Sequence, residues 1–494
     1  MSLAFVTGSS LGQNWRLDEA VSVRETLSNN VNLTPNDGRR SDLITELIPS
    51  LHVTEKGART TLSGFVAVPV VLYARTGGEN NNAYPSANIL GDVQLIENWL
   101  HVEGEMTIAQ QYFSPFGAQP LGLDNATQNR YQTNTYRVTP YIKGVTPGKT
   151  HYELRNNNIW NNTSSAPVPT SDFHSTEFTG NATNTETTIG WRAEFDVNDW
   201  SATDSDTFRS RLVRLTSLYN ATPQLRLSAI GGYEQNHYPL SSSDNGIYGA
   251  GFEWHPTPRT DVVGWWEHRF FGGAYLFTFD HHTPLSVWKV HISRNITTYP
   301  QQLASLPAGG DVASLLNTLF LTTIPDPTQR QQTVDQFIRD RGLPTMLSGA
   351  LTLYSQQTLL EESQTASVGL LGTRNTVLLT IYNVRSQPIS ASGDVLSGLV
   401  PSTEDTNQTG ISLAWSHKLT PSLVLDATVD RFRTVANPPL EGKTNQAALR
   451  LVLSTPLSAK TTIFAGARYQ TLTSTLVSPY DEAAAFIGVT HTFQ

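Results

Sequence analysis

Glu103 and Glu105 are the residues whose type and spacing come closest to catalytic chemistry. Two residues apart on a strand, they would share one face, with Cα atoms about 7 Å apart. Two carboxyl groups at such a separation could serve as acid and base in glycoside hydrolysis. The neighbouring segments, however, also carry charges on the same face, so compensating Arg and Lys in a water-filled channel explain the pair more simply. We therefore expect these glutamates to line a wet lumen.

Other chemistry-bearing patterns are weak. His281 and His282 are adjacent, and adjacent strand residues face opposite sides, so we expect no metal site there. The sequence has no Walker loop and no His-Glu-x-x-His motif. Its cysteine count of zero removes disulfides, thiolate metal sites and cysteine nucleophiles. We expect no enzymatic activity, no metal and no cofactor.

The strongest pattern is an alternation with period two in segments of about ten residues. One face of each segment is apolar and the other carries ionised side chains. Burying so many charges in a dry core would cost several kcal/mol each, at roughly the magnitude known for unpaired ions. A membrane barrel instead turns the apolar face to lipid and the charged face to a wet interior. The sequence therefore predicts an all-β protein, a single transmembrane antiparallel β-barrel of the outer membrane.

Parity assigns the two faces. The predicted lumen-facing residues are Glu103, Glu105, Arg192, Glu194, Arg226, Lys289, His291 and Arg450. The predicted lipid-facing residues are Leu100, Val102, Trp191, Trp288 and Leu449. Most tryptophans are expected in interfacial girdles. Phe65 and Trp265 fall on the lumenal parity and are candidates for stacking on sugar rings.

Composition is consistent with one barrel over residues 1–494. No linker or change of composition divides the chain. A net charge of −9 and a pI near 5.7 argue against nucleic-acid binding. The longest apolar run, residues 65–74, contains Pro69 and is shorter than the ~20 residues that a membrane-spanning helix needs. The first fifteen residues resemble a mature N-terminus from which an export signal has been removed.

Short turns alternate with longer polar loops. Turns such as Thr146-Pro147-Gly148 and Thr420-Pro421-Ser422 are expected in the periplasm, and loops such as 29–41, 114–129, 238–245 and 390–407 outside the cell. Alternating the chain direction gives about 22 strands, with about 18 to 20 as the alternative, because residues 173–197 are the hardest to divide. An even number of strands puts both termini in the periplasm.

One insertion, residues 300–347, interrupts the strand rhythm. Val312, Leu315, Leu316 and Leu319 have helical spacing, and a second stretch, 333–341, carries Val334, Phe337 and Ile338. By strand parity this partly helical loop is extracellular. We expect it to occlude the barrel mouth or upper lumen, with a surface excursion as the alternative.

Residues 21–64 carry a more specific pattern. A strand leads into the loop Asn-Val-Asn-Leu-Thr-Pro, a Ser-Asp pair opens the next strand, Pro49 lies within that strand, and a Gly-Ala-Arg turn follows. A late strand opens with Thr373-Arg374-Asn375-Thr376. These features resemble the EpsL-like outer-membrane barrels associated with PEP-CTERM/exosortase exopolysaccharide loci. The resemblance implies export of polysaccharide, or a linked surface function, across the outer membrane.

Two functions remain open from the sequence. The first is a conduit for a hydrophilic polymer, with polysaccharide, membrane lipid and lipopolysaccharide as partners and a periplasmic protein that delivers the polymer. The second is a scaffold barrel that sheathes or anchors another protein, such as a cytochrome or a surface filament, in its lumen.

Overall fold

The structure is a computed structural model in which most of the chain is described. The described residues are 15–164, 172–185, 188–203, 207–238, 241–304, 311–321, 323–326, 329–331, 333–334, 337, 350–351, 358–389, 405–437 and 441–493.

Twenty-four strand segments form one antiparallel sheet that closes on itself. The segments are β1 (Trp15–Ser28), β2 (Asp42–Lys56), β3 (Thr60–Ala67), β4 (Val70–Tyr73), β5 (Asn82–Ala83), β6 (Ser86–Ile96), β7 (Leu100–Tyr112), β8 (Arg130–Val145), β9 (His151–Ser164), β10 (Phe173–Asn184), β11 (Ile189–Ala202) and β12 (Phe208–Asn220). The remaining segments are β13 (Leu225–Tyr238), β14 (Ser241–Thr257), β15 (Thr260–Arg269), β16 (Gly272–Thr283), β17 (Ser286–Thr297), β18 (Leu359–Leu371), β19 (Asn375–Pro388), β20 (Thr406–Lys418), β21 (Val424–Ala436), β22 (Gly442–Ser458), β23 (Thr461–Ser474) and β24 (Tyr480–Thr492).

These segments make 22 barrel strands. Both β3 and β4 pair with β2, because Pro69 interrupts one barrel strand between them, and β5 and β6 form the next strand in the same way. Each strand pairs with its neighbours in the chain, and β1 closes the barrel on β24 over Ala20–Ser28. The prediction of about 22 strands is confirmed, and residues 173–197 do form the two strands β10 and β11.

The two ends of the barrel differ. The turn end carries tight connections such as those from β16 to β17 and from β20 to β21, together with the start of β1 and the end of β24. The loop end carries the long connections, residues 29–41, 113–129 and 298–358 among them. The loop predicted at 238–245 is shorter than expected, because the strand ladder of β13 and β14 extends into it. This end also carries one tight connection, since only residues 270–271 separate β15 from β16.

The outer surface is apolar. Leu27, Val213, Trp191, Ile381 and Leu449 lie on it, between 40% and 62% exposed. Residues of the opposite parity face the interior and include buried polar side chains such as Thr26, Gln446 and Glu482. This arrangement inverts that of a water-soluble protein, because the large aliphatic groups lie outside and the ionised groups inside.

Short helices interrupt the strands, among them α1 (Gly77–Asn80), α2 (Tyr299–Ala304) and α3 (Asp311–Leu319). A 3-10 turn, Asn36–Gly38, lies in the first loop. Among the described residues, no helix has the length and apolar character needed to cross a membrane. The prediction of helical structure at Val312, Leu315, Leu316 and Leu319 is confirmed by α3.

Candidate functional site: the barrel interior

The first cluster on the inner wall lies on β7, β8 and β9. Arg137 contacts both predicted glutamates, at 3.2 Å from Glu103 and closer to Glu105. Arg155 lies 3.9 Å from Glu103 and donates a 2.6 Å hydrogen bond to Glu153. The structure therefore brings Glu103 and Glu105 together around one guanidinium. Both carboxylates are compensated, as expected for wall residues of a wet channel.

A second series of ion pairs extends over β11 to β15. Arg192 and Arg226 both contact Glu253, at 3.2 and 2.7 Å. Glu194 lies 3.6 Å from Arg214, which contacts Glu267 at 2.6 Å. Because β11 and β14 are not adjacent, the Arg192–Glu253 pair must span the concave side of the sheet. This geometry places Arg192, Glu194 and Arg226 on the inner wall.

The most buried ion pair of this series is almost inaccessible to solvent. Arg269 on β15 donates to Glu234 on β13 at 2.6 and 2.8 Å, and both side chains are at most 5% exposed. The amide of Phe270 donates to the other oxygen of Glu234 at 2.8 Å. A buried pair with this geometry offsets its desolvation only because several hydrogen bonds converge on it. The wall is therefore rigid here as well as charged.

The other predicted wall residues are more isolated. Lys289 on β17 lies opposite Asp280 on β16, and His291 lies opposite Thr278. Arg450 on β22 places its guanidinium 5.2 Å from the ring centroid of Phe486. The neighbouring residues Trp288 and Leu449 have the opposite parity and are 44% and 41% exposed.

An unexpected feature is that the β7–β8 connection, residues 113–129, folds into the barrel. Asp124 accepts two 2.7 Å hydrogen bonds from Arg468 on β23 and lies 3.8 Å from Arg24 on β1. Asn125 donates to Glu482 on β24, and Gln446 on β22 donates to the carbonyl of Gln119. Asp124 and Asn125 are 0% exposed. This loop, which we call the inner loop, thus joins β7–β8 to the wall made by β22, β23, β24 and β1.

Charge holds the inner loop in place. Burial alone would raise the pKa of Asp124, but the guanidinium groups of Arg468 and Arg24 outweigh burial and lower that pKa from 3.8 to about 2. The carboxylate therefore stays ionised over the physiological range. The sequence predicts 114–129 only as a polar loop outside the cell. A sequence signal that points inward is the pair of aromatic residues where the connection begins, Phe113 and Phe116, and both are buried in the structure.

The insertion between β17 and β18 also enters the barrel. Tyr299 and Leu303 of α2 pack with Phe113, Phe173 and Trp200 near the loop end, and the Tyr299 hydroxyl lies 2.8 Å from that of Tyr131. Helix α3 packs on a different part of the inner wall from α2. Its buried residues Val312, Leu315, Leu316 and Leu319 pack against inner-wall residues Val287, Leu378 and Ala414.

This position differs from the predicted one at the mouth. Val287 and Leu378 lie close to the turn ends of β17 and β19, so α3 reaches the opposite end of the lumen. The reason is the apolar patch formed there by Val287, Leu378 and Ala414, which covers the apolar stripe of α3. Of the predicted second helical stretch, Val334 and Phe337 join the same cluster, whereas Ile338 lies outside the described residues.

Open space remains beside α2. A cavity of about 320 Å³ is lined by wall residues of β10, β11, β12 and β15, with Gln301 of α2 on one side. Its polar lining includes Asp196, Asn198 and Arg214. Phe65 pairs in register with His52 on the inward face of β3 and is 42% exposed. Trp265 lies opposite Leu276, on the inward parity of β15, and is partly buried.

The described residues contain no group of three or more His, Asp or Glu side chains that could hold a metal ion. His281 instead lies 2.9 Å from the hydroxyl of Thr260.

Comparisons with known proteins identify no family. No protein-family model and no curated protein matches the chain. Solved structures with a similar fold include OpdO of Pseudomonas aeruginosa, with 8% identity, a TM-score of 0.34 and coverage of 97% of this chain and 98% of that one. The siderophore receptor PirA of the same organism has 10% sequence identity and a TM-score of 0.40. The match covers 97% of this chain and 81% of that one. A loop-deletion mutant of OmpT, an outer membrane protein of Vibrio cholerae, has 9% sequence identity and a TM-score of 0.33. The match covers 97% of this chain and 100% of that one. At these scores the likenesses carry no argument about function.

Proposed function

We propose that this protein is an outer-membrane channel through which a hydrophilic polymer, a polysaccharide, is exported. The observation that carries the proposal is the division of a closed barrel into two surfaces, an outer one that is apolar and an inner one with paired charges. A closed barrel satisfies its backbone hydrogen bonds without an edge, as a lipid-embedded sheet requires. Such a barrel is an economical way to place a polar path across a membrane.

The charge pattern supports a polymer without strong net charge. Most ionised wall residues are paired with the opposite sign, as in Arg137 with Glu105 and Arg269 with Glu234. Pairing cancels much of the field that would attract ions of one sign. Inward polar side chains that line the cavity beside α2, such as Thr179 and Asn181, offer hydrogen bonds to hydroxyl groups. The resemblance of residues 21–64 to EpsL-like barrels points to the same substrate class.

The channel proposed here is gated by its own chain. The inner loop and the insertion both occupy the lumen, so passage of a polymer requires at least one of them to move. In this proposal both termini face the periplasm, the turn end lies there, and a periplasmic protein delivers the polymer.

Single-channel recording in planar bilayers tests this function. We expect low conductance from the intact protein and a higher conductance after deletion of residues 303–343. Purified exopolysaccharide added from the turn-end side should then block the deletion variant transiently. Unchanged conductance together with no block would reject the channel. A barrel that always purifies with a second chain in its lumen would favour the scaffold function instead.

A further inference from the structure

The outer face of β19 to β22 carries four cations in a region that otherwise faces lipid. Arg385 on β19, Arg431 and Arg433 on β21 and Lys443 on β22 are exposed and share the parity of Ile381, Ile411 and Leu449. We call these four residues the cationic patch. It lies in the loop half of its strands, since β21 runs from Val424 at the turn end to Ala436 at the loop end.

Strand register sorts the side chains of this face into levels. Nearest the loop end, Arg385, Asn407 and Val435 lie side by side, and Asn383, Thr409 and Arg433 form the next level. Below them lie Ile381, Ile411 and Arg431, and then Leu379, Leu413 and Val429. Successive levels are about 7 Å apart along a strand. The first three levels therefore carry the cationic and hydrogen-bonding side chains, and the fourth level, toward the middle of the barrel, is purely aliphatic.

The cations differ in how they are compensated. Arg385 donates two hydrogen bonds to Asp405, at 3.1 and 2.6 Å, and lies opposite Glu362. No hydrogen bond or ion pair joins Arg431 or Arg433 to another residue in the part of the chain that the structure describes. An arginine facing lipid without a partner destabilises a barrel, and the cost grows with depth. Arg431 and Arg433 are also neighbours on one face, so their charges repel each other, and this pair of guanidinium groups calls for an anion supplied from outside the protein.

A groove of about 1040 Å³ connects these residues. Its lining includes Arg385, Asn407, Thr409, Ile411, Arg431 and Arg433. Guanidinium groups bind phosphate in a bidentate manner, and amide and hydroxyl groups bind sugars. Aliphatic side chains accommodate acyl chains. Cationic and hydrogen-bonding groups side by side above an aliphatic level match one kind of molecule, a glycolipid with a phosphorylated sugar headgroup above its acyl chains.

We propose that the cationic patch and its groove bind the phosphorylated headgroup of lipopolysaccharide in the outer leaflet. Arg431 and Arg433 contact phosphate, Asn407 and Thr409 contact the sugar, and Ile381 and Ile411 contact the acyl chains. The site rests on the outer-membrane location and on the loop end facing outward. It does not depend on transport of a polymer.

Binding of lipid A to the full-length barrel in detergent tests the site. The variant is Arg431→Gln with Arg433→Gln, and the matched control is Arg211→Gln, an exposed arginine on the same parity of β12 as Val213 that lies opposite Val197 and Gln235. Each protein is titrated with bisphosphorylated lipid A and with the same lipid after removal of its phosphates. Resistance of the barrel to unfolding in sodium dodecyl sulfate reports the fold.

We expect the double variant to bind bisphosphorylated lipid A about tenfold more weakly than the unmodified protein, as loss of charge-assisted hydrogen bonds implies. Its affinity for the dephosphorylated lipid should be unchanged, and Arg211→Gln should behave like the unmodified protein. Equal affinity of the double variant and the unmodified protein, or an equal loss with Arg211→Gln, would overturn the site. An equal loss for both lipids would also overturn it, because phosphate would not be the group recognised. Conductance of the double variant separates this result from failure of the channel, since the patch lies outside the lumen.

Discussion

Single residues in this barrel have effects that depend on which surface they occupy. Leu449 lies near the middle of β22 on the outer surface, whereas the adjacent Arg450 faces the interior. A one-residue shift in register would exchange these environments, since neighbouring strand residues point to opposite sides. The energetic penalty for charge should therefore follow parity and depth.

Leu449→Arg tests that rule on the outer surface. We expect the barrel to lose roughly 2 to 4 kcal/mol of stability, because a charge near the membrane midplane is poorly solvated. Leu457→Arg at the turn end of the same strand, where Leu457 is 64% exposed, should cost about 1 kcal/mol or less. Urea unfolding in lipid vesicles measures both. Equal losses would contradict the assignment of Leu449 to the lipid-facing surface.

Asp124→Asn tests the charge that holds the inner loop. The substitution removes a buried carboxylate that both Arg468 and Arg24 contact, although Arg468 keeps its pair with Glu482 and Arg24 its pair with Glu46. A hydrogen bond to a charged group typically contributes about 1.5 to 3 kcal/mol. We expect the inner loop to leave the wall and the single-channel conductance to rise. Asp37→Asn, in the 3-10 turn of the first loop, is the control and should leave conductance unchanged.

The same carboxylate gives the inner loop a pH dependence. The pKa of Asp124 is lower in the docked loop than its ordinary value of 3.8. Docking is therefore favoured above that ordinary value and is lost as the pH falls toward about 2. Because the chain has no cysteine, a single Ala118→Cys substitution can report the transition by thiol labelling after brief acid exposure. Labelling that does not increase at acid pH would contradict this mechanism.

At the scale of elements, the two lumenal segments are attached by different forces. The inner loop is attached by ion pairs and hydrogen bonds, and α3 by an apolar stripe on an apolar wall patch. Protonation of Asp124 at acid pH removes a charge from the inner loop but leaves the apolar contacts of α3 unchanged. The two segments can therefore be released separately.

Leu316→Asp should release α3. Leu316 is 0% exposed in the cluster with Val287 and Leu378, and an unpaired carboxylate there is strongly disfavoured. We expect higher conductance without loss of the barrel. Leu321→Asp, at a side chain that is 41% exposed, is the matched control and should conduct like the unmodified protein. If the two variants conduct equally, α3 does not restrict the pore.

At the scale of the whole molecule, closure depends on the first and last strands. Val23 on β1 lies opposite Val489 on β24, and directly opposed residues have Cα atoms about 4.5 to 5.5 Å apart. Cysteines at these two positions should form a disulfide under mild oxidation. Cysteines at Val23 and Val429, which lie on β1 and β21, should not. Electrophoretic mobility without reductant distinguishes the two, and absence of a disulfide in the first pair would contradict the closed barrel.

The sequence alone determined the barrel, its strand number near 22 and the alternation that separates Leu449 from Arg450, because each depends on local periodicity and turn chemistry. It also revealed the helical stripe of α3. Only the tertiary structure decided what fills the lumen. The contact of Asp124 with Arg468 joins residues 344 positions apart, and α3 finds its apolar patch on three separate strands. Such contacts depend on curvature and chain closure, which bring together residues that no local pattern relates.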